Sequence, residues 1–376
     1  MGQVRRRLAR PGATRQRHQD RLTAHLPLDV LTALAELLPL PLIVAANVAV
    51  GKTWSSLATW IIGGLAVWMI VIYTGLDIGA LLLSPGANQR ARYAVDAGAI
   101  VTAFAAAGFL FKPIRKDVAA FLRVDPDNPV HTLALMLFVF VLGTEITTLA
   151  FTDVLALSQA QPPLGVIDLF QDELPFLVVA LAGVGLFVRR DARQAASRLG
   201  VAVPAWWHLA LALAAAGVFF VFVSWMDGLS HSLTPQIAHR VDETTQHVFG
   251  QLGGPVAIVA LAVLPGICEE LLFRGALQPR FGLVPTALLF TSIHTQYALS
   301  LDTLAIFVVA IGLGLIRRYT NTTASSACHT GYNLLVGIGL TGALLNAAAV
   351  VELALIAAAG YGIWASRRRP AAAQAP

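Results

Sequence analysis

Runs of about twenty apolar residues, separated by short clusters of charge, recur along almost the whole chain and restrict its fold more than any other feature. A helix needs about 20 mostly apolar residues to cross ~30 Å of hydrocarbon. Such stretches fall at approximately 31–50, 57–83, 93–111, 131–152, 168–188, 205–226, 254–273, 282–297, 302–316, 324–343 and 345–365. The composition agrees with them: 57% of the 376 residues are hydrophobic and 12% are charged, against roughly 25% charged in a soluble domain. Strands are excluded, because lipid offers no partners to the backbone of an open sheet edge and the ~10-residue alternation of a membrane barrel is absent. The expected fold class is all-α, a polytopic transmembrane helical bundle of about ten or eleven spans.

The formal net charge of +5 would suit nucleic acid, but the basic residues lie in the connections between spans. Seven arginines precede residue 28. Arg189, Arg190, Arg193 and Arg198 follow one span, Arg317 and Arg318 another, and Arg367, Arg368 and Arg369 the last. Under the positive-inside rule these loops face the cytoplasm. The alternation is consistent from residue 131 onward and places the C-terminus in the cytoplasm. The expected setting is a bacterial plasma (inner) membrane, with the lipid bilayer and no nucleic acid as partner. Upstream the rule conflicts with itself once. If the N-terminus and the Arg90/Arg92 loop are both inside, segment 93–111 delivers Lys112, Arg115, Lys116 and Arg123 to the outside. Three resolutions are open: a re-entrant 93–111, which carries Asp96; an interfacial helix over 113–124; or a miscounted early span.

The longest polar connection, 227–253, contains Asp227, His231, His239, Arg240, Asp242, Glu243 and His247 and divides the chain. The expected organisation is a basic, disordered cytoplasmic tail over 1–28, an accessory transmembrane bundle over 29–204, a functional core over 205–350, and the last span's end with a basic tail over 351–376. The run from Leu31 to Val50, behind a long basic leader, reads as an uncleaved anchor rather than a signal peptide. Cys268 and Cys328 are too few for a disulfide framework or a four-thiolate metal site, and read as small packing residues.

Three polar patterns interrupt the apolar spans of the core: Glu269, Glu270 and Arg274; Phe290 and His294; His329 and Asn333. A charged group at the bilayer centre costs roughly 2.5–3.5 kcal/mol on insertion scales, so a cluster of them marks a site. Glu270 and Arg274, four apart with the acid N-terminal, share a helix face in the favoured orientation for an ion pair. They read as a supporting pair. Glu269 points about 100° away and lacks that partner, which leaves it as the carboxylate for reaction. Pro265 and Gly266, one turn upstream, would loosen the helix and free carbonyls.

Phe290 and His294 are also four apart, a ring beside an imidazole, and His329 and Asn333 pair an imidazole with an amide donor. Two arrangements follow from these residues. In one, Glu269 and His294 activate a water for peptide-bond hydrolysis while His329 and Asn333 donate to the developing oxyanion, with no metal. In the other, Glu269, His294 and His329 hold a divalent metal such as zinc, and the metal activates the water. The sequence leaves both open.

The patterns Glu269-Glu270-x-x-x-Arg274, Phe290-x-x-x-His294 and His329-x-x-x-Asn333, in that order, resemble the motifs of the CAAX-processing and bacteriocin-processing intramembrane proteases, the CPBP or Abi family, which include the type II CAAX prenyl endopeptidase. The resemblance covers roughly 254–345, under a third of the chain. It implies an intramembrane endopeptidase, of metalloprotease or metal-free glutamate type. In it Glu269 and His294 would activate the water, His329 and Asn333 would form the oxyanion side, and Glu270, Arg274 and Phe290 would support them. The implied substrate is a membrane-embedded or lipid-anchored protein or peptide, without specifying a prenyl group. Members of the family also confer self-immunity or act as scaffolds, so a non-catalytic scaffold or bacteriocin-immunity protein is the alternative, with a transporter behind it.

Glu36, Asp77, Asp96 and Glu145 are further acids within apolar segments. They read as paired with a neighbouring helix or reaching an interface rather than as a proton relay. Trp206 and Trp207, with His208, open a span as an interfacial anchor. Asn321-Thr322-Thr323 fits a glycosylation pattern, but it follows Arg317 and Arg318 on the expected cytoplasmic side and is discounted.

Overall fold

A computed structural model describes residues 37–83, 89–340 and 342–368; the tail 1–28, Glu36 and Arg369 lie outside the described residues. The first half of the chain forms α1 (Leu40–Ala49), α2 (Ser55–Leu83), α3 (Gln89–Ala107), α4 (Lys112–Ala119), α5 (Pro129–Phe151), α6 (Val154–Ala160), α7 (Val166–Val184) and α8 (Ala192–Leu199). The second half forms α9 (Trp206–Leu233), α10 (Pro235–Phe249), α11 (Pro255–Glu270), α12 (Gln278–Phe281), α13 (Leu283–Ser292), α14 (Leu301–Tyr319), α15 (Thr322–Ile338) and α16 (Gly342–Arg368). Among the described residues no strand forms, so the molecule is all-α as its apolar runs require.

Each expected span contains a helix among its described residues. Six of them are long and apolar enough to cross a membrane: α2, α3, α5, α9, α16, and α11 with its continuation to Phe281. The helices α1 and α13 are shorter apolar elements. The remaining expected spans are α7, α14 and α15. The first carries Asp168, Asp172 and Glu173, the second carries Asp302, Arg317 and Arg318, and the third is 17 residues long. The apolar run 282–297 divides: α13 stops at Ser292 and a 3-10 turn covers Thr295–Tyr297, which leaves His294 in non-helical backbone at the helix end.

The basic connections gather at one end of the bundle. Arg123 donates its backbone N–H to the Arg280 carbonyl at 2.8 Å. Arg198 donates to the carbonyls of Gly275 and Ala276 at 3.1 and 3.3 Å, and Arg189 to Asn47 Oδ1 at 2.6 Å. The Arg317 guanidinium lies against Gly200, a left-handed residue with φ +71° that a Cβ would drive into that guanidinium. This arrangement places the early basic connections relative to the others. Helix α3 with its 3-10 extension is long and apolar enough to cross a membrane and ends near Leu110, where Phe111 meets Trp60 near the start of α2, with ring centroids 5.3 Å apart. The eight-residue α4 then turns back along the same end, Arg115 donating to the Phe109 and Leu110 carbonyls at 2.7 Å. Lys112 to Arg123 therefore share an end with Arg189 to Arg198. The Arg90/Arg92 connection lies at the opposite end, where Arg92 pairs with Asp77 at 2.7 Å, the partner expected for that acid.

Small residues let the core helices approach closely, as packing within lipid favours. Ala212, Ala216, Ala324 and Cys328 pack together where α9 meets α15, and both cysteines are free and buried. Asn321 caps α15, its Oδ1 accepting from the Ala324 N–H at 2.9 Å. That role accounts for an asparagine at the position.

Candidate active site

Helix α11 carries Glu269 and Glu270 at its C-terminal end, where the backbone widens into a π-helical segment over Leu271–Leu277. Across from it α15 runs antiparallel. The two backbones meet at Gly266, where a Cβ would collide with the Thr330 hydroxyl and backbone. Ser325, His329 and Asn333 are spaced four apart on one face of α15, which puts one beside each successive turn of α11.

Glu270 is fully buried and engages three partners. Ser325 Oγ donates to its Oε2 at 2.5 Å, His329 Nδ1 lies 3.2 Å from its Oε1, and Arg274 Nε lies 3.4 Å from its Oε2. The supporting pair expected from the sequence is present, and Glu270 has a second task as the group that orients His329. A carboxylate on Nδ1 fixes the ring and leaves Nε2 pointing away from it. Arg274 also donates to the Ala310 carbonyl at 3.4 Å and stacks over the Phe290 ring, Cζ 4.3 Å from the centroid. Phe290 is the common wall of the site. His294 lies against its ring at 4.6 Å between centroids, and His329 meets it edge-on at 6.0 Å.

Glu269, 6% exposed, has an Oε2 without a hydrogen-bond partner. Its nearest basic group is His329 Nε2 at 3.9 Å, too long for a hydrogen bond and short enough for one small molecule to bridge. His294 is not brought into ion-pair range of Glu269. Its Nδ1 lies 2.7 Å from the Phe290 carbonyl, which makes that nitrogen the donor and leaves Nε2 as an acceptor. Glu173 of α7, buried, lies near enough for its charge to act on Glu269. Like the acids singled out in other apolar runs, it betrays itself in the sequence only by being charged where its neighbours are not.

Asn333 is placed by a backbone defect. Pro265 has no N–H, so the Leu261 carbonyl four residues earlier loses its helical partner. Asn333 Nδ2 donates to that carbonyl at 3.4 Å. The freed carbonyl expected from Pro265 thus exists and is met by a side chain, whereas Gly266 serves close packing rather than loosening, and the irregular backbone follows the Glu-Glu pair.

Glu269, His294 and His329 are not gathered tightly around one point. Among the described residues their ligating atoms do not all lie within 4.8 Å of one another, a condition met only by His231, His239 and Asp242. Each imidazole is held through Nδ1, His329 by Glu270 and His294 by the Phe290 carbonyl, which leaves both Nε2 atoms free.

Residues 251–335 match the family model described as Rce1-like, type II CAAX prenyl endopeptidase. The match contains Glu269, Glu270, Arg274, Phe290, His294, His329 and Asn333 and supports assigning this part of the chain to the CAAX protease family. No curated protein and no solved structure matches the chain.

Proposed function

We propose that the protein is an intramembrane endopeptidase in which Glu269 acts as general base and His329 and Asn333 bind the oxyanion, acting on a membrane-embedded or lipid-anchored protein or peptide. The observation that carries the reading is the unsatisfied Glu269 carboxylate 3.9 Å from His329 Nε2, with His329 fixed from behind by Glu270. A water about 2.8 Å from both atoms would be held by the pair. As its oxygen attacks the scissile carbonyl, Glu269 takes the water proton and returns it to the departing amide nitrogen. Held through its Nδ1–H by Glu270, His329 donates from Nε2 in the imidazolium form, and it and the Asn333 amide donate to the carbonyl oxygen as it becomes negative. His294, its Nδ1 occupied, keeps Nε2 available to orient the same water. Under the positive-inside rule the arginine-rich end of the bundle, and with it the C-terminus, faces the cytoplasm.

The test compares peptide termini in membranes of cells making the wild-type chain or Glu269→Gln at equal abundance. Termini that depend on the wild type and vanish in the variant, with unchanged thermal unfolding, are the expected result. Identical termini in both would overturn the protease reading in favour of a non-catalytic scaffold.

A further inference from the structure

At the end of the bundle opposite Arg189, Arg198 and Arg317, the corner between α9 and α10 carries a second cluster of imidazoles and carboxylates. Asp227 and His231 stand one turn apart near the end of α9, and His239 and Asp242 one turn apart on α10. Thr234 is the only residue between the two helices, so their faces meet. His231 Nε2 lies 3.0 Å from Asp242 Oδ2 and 3.7 Å from Asp227 Oδ1, and the His239 ring stands edge-on to His231 at 5.2 Å. One ligating atom from each of His231, His239 and Asp242 lies within 4.8 Å of the others.

We infer that this corner is a divalent-metal site of the zinc class, with His231, His239 and Asp242 as ligands and Asp227 as a fourth donor within reach. A protonated His231 between two carboxylates would account for three of the residues and leaves the second imidazole without a role. Two neutral imidazoles and two carboxylates match a divalent cation in charge, and nitrogen with carboxylate oxygen is a donor set that zinc accepts at about 2.0–2.2 Å. Arg240 does not compete for these carboxylates, because its guanidinium is committed to Asp153 at 2.6 and 2.7 Å. The cluster is open to solvent, with His231 33% and Asp242 54% exposed, so an ion reaches it without crossing the core. Helix α10 also packs on the turn Thr295–Tyr297 next to His294. An ion joining α9 to α10 would hold that helix against it.

The inference is independent of the protease reading, and its test reads metal directly. Full-length protein in detergent, stripped with a chelator, is loaded with Zn2+, desalted and assayed for retained zinc and thermal unfolding, with Co2+ absorption reporting tetrahedral geometry. About one zinc per chain and a raised midpoint are expected. His239→Ala and Asp242→Asn should each weaken binding by more than about tenfold, the loss seen when even an outer-shell partner is removed. Glu269→Gln should bind as the wild type does. Unchanged retention in both corner variants, no retained zinc in the wild type, or zinc lost only in Glu269→Gln would each overturn the assignment. His239→Ala, at an exposed position, should unfold like the wild type without zinc, which separates lost binding from lost folding.

Discussion

Two imidazoles in this molecule each face two carboxylates at nearly the same distances, and the surroundings decide what each cluster does. His329 lies 3.2 Å from Glu270 and 3.9 Å from Glu269; His231 lies 3.0 Å from Asp242 and 3.7 Å from Asp227. The first three side chains are at most 8% exposed, whereas the second three are a third to a half exposed. Inside the bundle each desolvated ion costs several kcal/mol, and only additional partners offset that cost. Glu270 accordingly collects a hydroxyl, an imidazole and a guanidinium. At the corner each group is open to solvent, an exposed pair is worth about 0–1 kcal/mol, and no burial cost fixes one set of partners. The same residue types make a fixed scaffold in one place and an adjustable ligand set in the other.

The contrast breaks most directly at Arg274. Arg274→Ala leaves Glu270 buried with a charge its other partners do not cancel, and should cost about 3–5 kcal/mol in detergent unfolding. A loss below about 1 kcal/mol would mean that burial imposes no such demand. Gly266→Ala pushes a methyl into Thr330 and should cost about 1–3 kcal/mol, with activity falling alongside stability as the two helices part. Ser325→Ala removes the shortest bond to Glu270 and should destabilise by about 1–3 kcal/mol. A neutral result would assign the holding of that carboxylate to Arg274 and His329 alone. The smallest effect belongs to the exposed side. The bonds from Arg240, aided by the N–H of Ala156, hold the Asp153 carboxyl below its ordinary value. Its contribution is complete above the unfolded value of about 3.9 and disappears as pH falls through the lowered folded value. Since Asp153 is 55% exposed, the pair is worth at most about 1 kcal/mol. The stability gap between wild type and Asp153→Asn should therefore be modest near pH 7 and close as pH falls through the lowered folded value. A gap constant with pH would make the effect one of helix capping alone.

Contacts within one helix were legible in the sequence, and contacts between helices were not. The pairing of Glu270 with Arg274 follows from a spacing of four. The bond from His329 to Glu270 joins residues 59 apart and depends on how α11 and α15 pack. Ser325 is marked only by standing four before His329, a third member of a face on which two polar residues were already evident. His294 departs from the expected helical geometry because α13 ends two residues earlier, which aims its imidazole at a backbone carbonyl rather than at Glu269. The polar run 227–253 is plain in the sequence as a connection. Its significance as a corner appears only when Leu233 and Pro235 fold α9 back onto α10. The early topology was ambiguous for a related reason: counting charges cannot show that Arg123 is tied to Arg280.

The bond between Asn333 and the Leu261 carbonyl makes two mutations interdependent. Asn333→Ala removes an amide from the site and also returns a carbonyl to hydrocarbon without a donor, so lost cleavage in that variant reports on folding as well as chemistry. Pro265→Ala supplies the missing N–H from within the helix. The double variant should recover the stability of the bundle while the reaction stays impaired, and it isolates what the amide does for the substrate from what it does for its neighbour.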